Sequence, residues 1–151
     1  DISYKTLIRM KYFGFIVLFL FSFSCKTQQL PPDQYKDAQI SFGSGGGFSG
    51  EYHEYTLLDD GRLFQKNRDG QSYTFLKKLN TSTTTQLFQN IKTFGIDSYK
   101  YNEPQNLYYF LSYSTPNTTN KIVWSGQPEN KLSTINSMYK LLVTHTKIST
   151  K

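Results

Sequence analysis

Chemistry in this 151-residue chain could start from a Gly-rich run, a serine inside it, two histidines, a set of aromatic strands or a lone cysteine. Gly45, Gly47 and Gly50, with Gly46, Phe48 and Ser49 between them, satisfy G-x-G-x-x-G. That spacing cradles a pyrophosphate only where the glycines open a helix, whose N-terminus then meets the phosphate. The residues that follow, EYHEYTLL, read as a strand, so no helix dipole is available. No G-x-x-x-x-G-K-[ST] motif is present either. Ser49 is one residue out of step with G-x-S-x-G, and a strand-turn-helix elbow is not expected there. His53-Glu54 begins like H-E-x-x-H, but Leu57 stands where the second histidine belongs. No catalytic residue, metal site or cofactor is therefore expected. The run Gly45, Gly46, Gly47, Phe48, Ser49 is instead a candidate contact loop, read as a flexible hairpin loop or as a β-bulge with backbone packed closely against Phe48.

The aromatic residues form the second candidate. The chain holds 12 Tyr and 12 Phe, and Tyr108, Tyr109, Tyr113 and Trp124 could make an aromatic surface for a glycan or a peptide. Tyrosine also fits a half-buried pleated surface. Because these positions alternate along strands and so fall on both faces, packing accounts for them better than a platform does.

The elements that would position these residues follow from periodicity. Ile40 and Phe42 alternate with Gln39 and Ser41 as a short strand, which Gly43 to Gly50 interrupts. Glu51 to Leu58 reads as a second strand, Leu63-Phe64 starts a third, and Ser72 to Leu79 supply a fourth. Asp60-Gly61, expected as a type I′ turn, and Asp69-Gly70 close the hairpins. After the capping run Asn80-Thr81-Ser82 the period changes. Leu87, Ile91 and Phe94 recur at helical spacing, and Gly95 stands at the C-cap. Leu107 to Tyr113 and Lys121 to Ser125 are strands either side of Pro116-Asn117. Asn130 is expected to cap a final helix with Leu132, Ile135, Met138, Tyr139 and Leu142 on one side. The expected fold is α+β, an antiparallel sheet of about six strands in the order ββββαββα, with both helices packed on one face. One domain spans 38–148, followed by a 149–151 tail.

The cysteine belongs to a different part of the chain. Lys5, Arg9 and Lys11 precede an uncharged run from Tyr12 to Phe23, followed by Ser24 and Cys25. As a helix that run extends roughly 18 Å, short of a bilayer core of ~30 Å, and its length suits a signal-peptide apolar region. MKYFGFIVLFLFSFSC resembles a bacterial lipoprotein signal, in which a short apolar segment ends at a cysteine that receives diacylglycerol on sulfur and becomes the mature first residue. Residues 1–24 would then be upstream sequence (Asp1 to Arg9, ahead of a plausible start at Met10) and signal peptide. Residues 25–37, with Pro31-Pro32, would be the lipidated Cys25 and a flexible tether. Lys26 in place of the Asp that retains such proteins in the inner membrane implies the outer membrane. The late first acidic residue, Asp33, implies its periplasmic face. Two acyl chains, at ~0.8 kcal/mol per buried methylene, hold a protein on a membrane stably.

Removing residues 1–24 takes away Lys5, Arg9, Lys11 and Asp1, leaving 14 basic against 10 acidic residues, net +4. Lys77-Lys78 is the only adjacent basic pair beyond the signal, and no stripe of the kind nucleic acid requires is formed. No nucleic-acid partner is expected.

QISFGSGGGFSGEYHEYTLLDDGRLFQ, with the later KIVWSG, resembles small Gram-negative envelope lipoproteins of unknown function. What the resemblance implies is structural and carries no catalytic residue across. Short proteins of this look are sometimes described as flavin transferases, which need acidic metal ligands and a flavin-nucleotide site that this sequence does not show. The first expectation is a lipid-anchored, non-catalytic binding or accessory domain contacting an envelope protein or glycan. The second is an enzyme or ligand carrier with a pocket joining His53 or His145 to Glu54, Asp97 or Glu103. The third is a purely structural envelope protein.

Overall fold

The computed structural model describes residues 30–147, so Cys25, the apolar run and residues 148–151 lie outside the described part. Six strands, β1 (Gln39–Gly46), β2 (Glu51–Leu58), β3 (Arg62–Lys66), β4 (Tyr73–Lys78), β5 (Leu107–Ser114) and β6 (Thr119–Ser125), alternate with helices α1 (Thr81–Thr93) and α2 (Lys131–Thr144) in the order ββββαββα. The sheet order is β4-β3-β2-β1-β5-β6, and every neighbouring pair is antiparallel. The fold is α+β.

Alternation decides which side chains meet the helices. Ile40, Phe42, Leu57, Leu63, Leu111, Tyr113, Ile122 and Trp124 join Leu87 and Ile91 of α1 and Ile135, Met138 and Leu142 of α2 in one buried cluster. Both helices thus lie on the same face. α1 starts where Asn80 Oδ1 accepts from the Thr83 N–H (2.8 Å), satisfying a donor that the helix itself leaves free. It stops at Gly95, whose φ of 61° is left-handed. There the Gly95 N–H donates to Lys92 O and the Ile96 N–H to Ile91 O (2.9 and 2.8 Å). This is a Schellman ending, and its hydrophobic contact is formed by the fully buried Ile91 and Ile96.

Four local expectations need correction. The Asp60-Gly61 hairpin is not type I′, because only Gly61 has positive φ (91°). The Gly61 N–H closes on Leu58 O (2.9 Å), so an ordinary turn is followed by a left-handed glycine. Asn130 precedes α2 but makes no side-chain cap, and its own φ is 51°; the Ser133 N–H reaches its backbone oxygen instead (3.0 Å).

The third correction concerns the flexible tether, which does not extend to residue 37. From Leu30 the chain is docked on the face opposite the helices, through a short 3-10 turn (Pro32–Gln34) with Pro32 buried. Arg62 Nη1 donates to Leu30 O (3.0 Å), while Arg62 Nε holds Asp60 (2.7 Å). The guanidinium lies over the rings of Tyr35 (5.4 Å) and Phe64 (5.8 Å). The Tyr35 hydroxyl donates to Asp59, and Gln39 Nε2 reaches Pro32 O and Tyr35 O (both 3.1 Å). Prolines that lower the entropy of the free chain make such docking cheaper.

The fourth correction is that Gly43 does not interrupt β1. The strand runs to Gly46 and is paired along its whole length with β2 and β5. Gly43 is there because nothing larger fits: a Cβ would stand 1.9 Å from His53 O and 2.9 Å from the Phe110 ring. Gly43→Ala is therefore expected to force β1 and β2 apart and cost about 1–3 kcal/mol. Urea unfolding followed by Trp124 fluorescence should show the lowered midpoint.

Candidate functional site

The Gly-rich run divides in two. Gly45 and Gly46 are strand residues opposite Tyr52 and Glu51 on one side and Tyr108 and Leu107 on the other. Gly47, Phe48 and Ser49 form the hairpin tip with Gly50. The tip is pinned at its base by Gly47 N–H to Asn106 O (2.7 Å) and closed by Gly50 N–H to Gly47 O (3.2 Å). Phe48 is not packed under the backbone: its ring is fully exposed. Leu107 and Tyr52, at the same end of the sheet, are also about half exposed.

Beside the tip a groove of about 410 Å³ separates the start of β2 from the β3–β4 turn, with Ser49, Glu51, Tyr52, His53 and Arg68 among its walls. His53 Nε2 lies 3.3 Å from Glu51 Oε2, both side chains being about half exposed. Glu54 is on the other face, accepting from the Tyr52 hydroxyl (2.7 Å) and facing Lys66 Nζ (3.5 Å). The expected partner of His53 is thus replaced by Glu51, because residues i and i+2 share a face and i and i+1 do not. Burial, then the bond to Glu54, pushes the Tyr52 phenol above its ordinary value, leaving it a neutral donor. His145 ends α2 beside Lys77 of β4, away from His53. Among the described residues no group of three or more His, Cys, Asp or Glu side chains is placed to hold a metal ion.

The four aromatic residues do not form one surface. Trp124 is buried and Tyr113 nearly so. Tyr113 meets Phe88 of α1 edge-on (6.4 Å), and Tyr109 packs with Trp124 (6.1 Å) and with Tyr139 of α2 (5.4 Å). Tyr108 is on the opposite face, its hydroxyl in the space above Gly45. The aromatic layer there is built from residues that the sequence reading does not single out. Tyr52 of β2 stacks on Phe110 of β5 across the bare β1 backbone (5.7 Å, 8° between planes), and Lys121 Nζ stands 4.5 Å from the Phe110 centroid. The signal for it is in the chain: Gly43 and Gly45, two residues apart, leave one face of a strand empty, and neighbouring rings fill such a gap. Phe110 is buried by this arrangement, so the layer seals the sheet face and leaves Tyr52 as its exposed part.

Neither a protein-family model nor a curated protein matches the chain.

One titration follows from this geometry. Burial, and then the Lys77 charge, lowers the His145 pKa from its ordinary 6.5. A group depressed in the folded state favours folding above its unfolded pKa, and that contribution is lost as pH falls through the folded value. The urea midpoint should therefore drop between pH 7.5 and pH 5, and His145→Gln should shrink the drop.

Proposed function

We propose that the chain is a lipid-anchored, non-catalytic binding domain of a bacterial cell envelope, held on the periplasmic face of the outer membrane through Cys25 and contacting an envelope partner through its hairpin tip. The observation that carries the contact is Phe48, a large apolar ring fully exposed on a turn hydrogen-bonded at its base and across its mouth. Aromatic anchors on pre-ordered turns are what interfaces use, because little entropy is lost when they dock. The anchor rests on the charge order, the apolar run and the lone cysteine of residues 5–25.

The test must spare the fold. Bulky residues at Gly45 to Gly47 are unsuitable, since a Cβ on Gly46 would lie 1.9 Å from Asn106 O. Phe48→Ala touches nothing and should leave stability within about 0.5 kcal/mol. Chemical cross-linking in intact envelopes is expected to lose its partner band in Phe48→Ala while thermal unfolding stays unchanged. A retained band would overturn the contact assignment. Metabolic fatty-acid labelling should mark the wild type and not Cys25→Ala.

The groove favours a second reading, a small-ligand carrier in which the His53–Glu51 pair and Arg68 hold a polar ligand. A small polar molecule that co-purifies with the wild type and with Phe48→Ala but not with His53→Ala would support that reading instead.

A further inference from the structure

We infer that Phe48 docks into an apolar pocket of a protein on the side of the domain away from the anchoring bilayer, and does not enter that bilayer; this rests on the anchor proposed above. Reach decides between the two. The described chain emerges at Leu30, clasped by Arg62, and Arg62 opens β3 at the end of the sheet where β2 finishes. From there β2 runs back through Glu51 to the tip. Its length is roughly 23 Å at about 3.3 Å per residue. The five residue steps from Leu30 to Cys25 span at most about 18 Å. With the arm docked, the leash starts at one end of the sheet and Phe48 crowns the other, farther from Leu30 than five residues can span.

Even with the leash fully drawn out, the domain could bring both ends to the membrane only with its strands inclined by no more than about 50° to the membrane plane. That would turn the sheet face, with the docked arm and Lys121, or the outer surfaces of the helices toward the headgroups. An upright domain instead offers Phe48, Leu107 and Tyr52, the apolar groups exposed at its far end, to whatever stands opposite. A single ring on a closed turn fits a pocket; insertion into lipid would favour a broader apolar surface.

The acylated full-length Phe48→Trp protein would be bound to phosphatidylethanolamine–phosphatidylglycerol vesicles carrying brominated acyl chains, with wild type giving the background of the buried Trp124. The expected result is flotation with the vesicles and emission from the introduced indole unquenched by bromine. Bromine quenching of that added emission overturns the inference. A wild type that neither floats nor carries lipid on Cys25 removes the anchor, a separate result that takes the inference with it. In cells, a photo-cross-linking side chain at position 48 should yield one adduct with a different protein. Purified, that protein should bind wild type at least tenfold more tightly than Phe48→Ala. An adduct between two copies of this chain, or none, also overturns it.

Discussion

The close approach of three strands at Gly43 is the constraint on which the structure depends. β1 is central, bonded along its full length to β2 and β5, so the sheet has no other route between its β2–β3–β4 and β5–β6 parts. At Gly43 the neighbouring His53 carbonyl and Phe110 ring occupy the volume that any side chain would need. The bare backbone lets Phe110 lean toward Tyr52, and the stacked pair with Lys121 above it replaces a second layer on that part of the sheet. A region that looks like a loop in the sequence is thus a tightly fitted central strand.

Elsewhere on the same face the docked arm covers the sheet around Gln39 and Arg62. Arg62 combines three roles there: it holds Asp60, caps the Leu30 carbonyl and lies against two rings. A planar guanidinium can do this where a lysine ammonium cannot. The helix face needs no such device, because α1 and α2 bring continuous apolar stripes. Its polar bracket is Asn120, which is buried and donates to Ile96 O (2.7 Å) and Tyr99 O (2.9 Å), tying the segment after α1 to β6.

Element order, strand alternation and both ends of α1 are legible in the sequence, because each depends on local chemistry: periods of two and 3.6, an Asn cap, a Gly stop. The misreadings share a cause, in that they turn on contacts distant in sequence. Gly43 to Gly46 read as a break because the rings that fill their space come from residues 52, 108 and 110. Leu30 to Asp37 read as a free tether because Arg62 and Asp59 lie more than twenty residues on. Composition groups Tyr108, Tyr109, Tyr113 and Trp124, whereas the period of two sends Tyr108 to one face and the other three to the helices. Adjacency in sequence matches His53 with Glu54, while strand geometry hands it Glu51.

The division of the Gly-rich run also separates stability from recognition. Gly43, Gly45 and Gly46 are surrounded, so selection on the fold alone would keep them small. At Gly47 and Gly50 a Cβ would meet nothing within 4 Å, and Phe48 between them touches no core residue. Fold energetics therefore give no reason for an aromatic ring at the tip: leaving a phenylalanine fully in water forgoes the ~1.5–3 kcal/mol that burying it would contribute. In the role proposed above, a side chain that adds nothing to its own domain and sits on a hydrogen-bonded turn draws its rationale from what it meets outside. That is why the contact is assigned to Phe48 and not to the glycines around it.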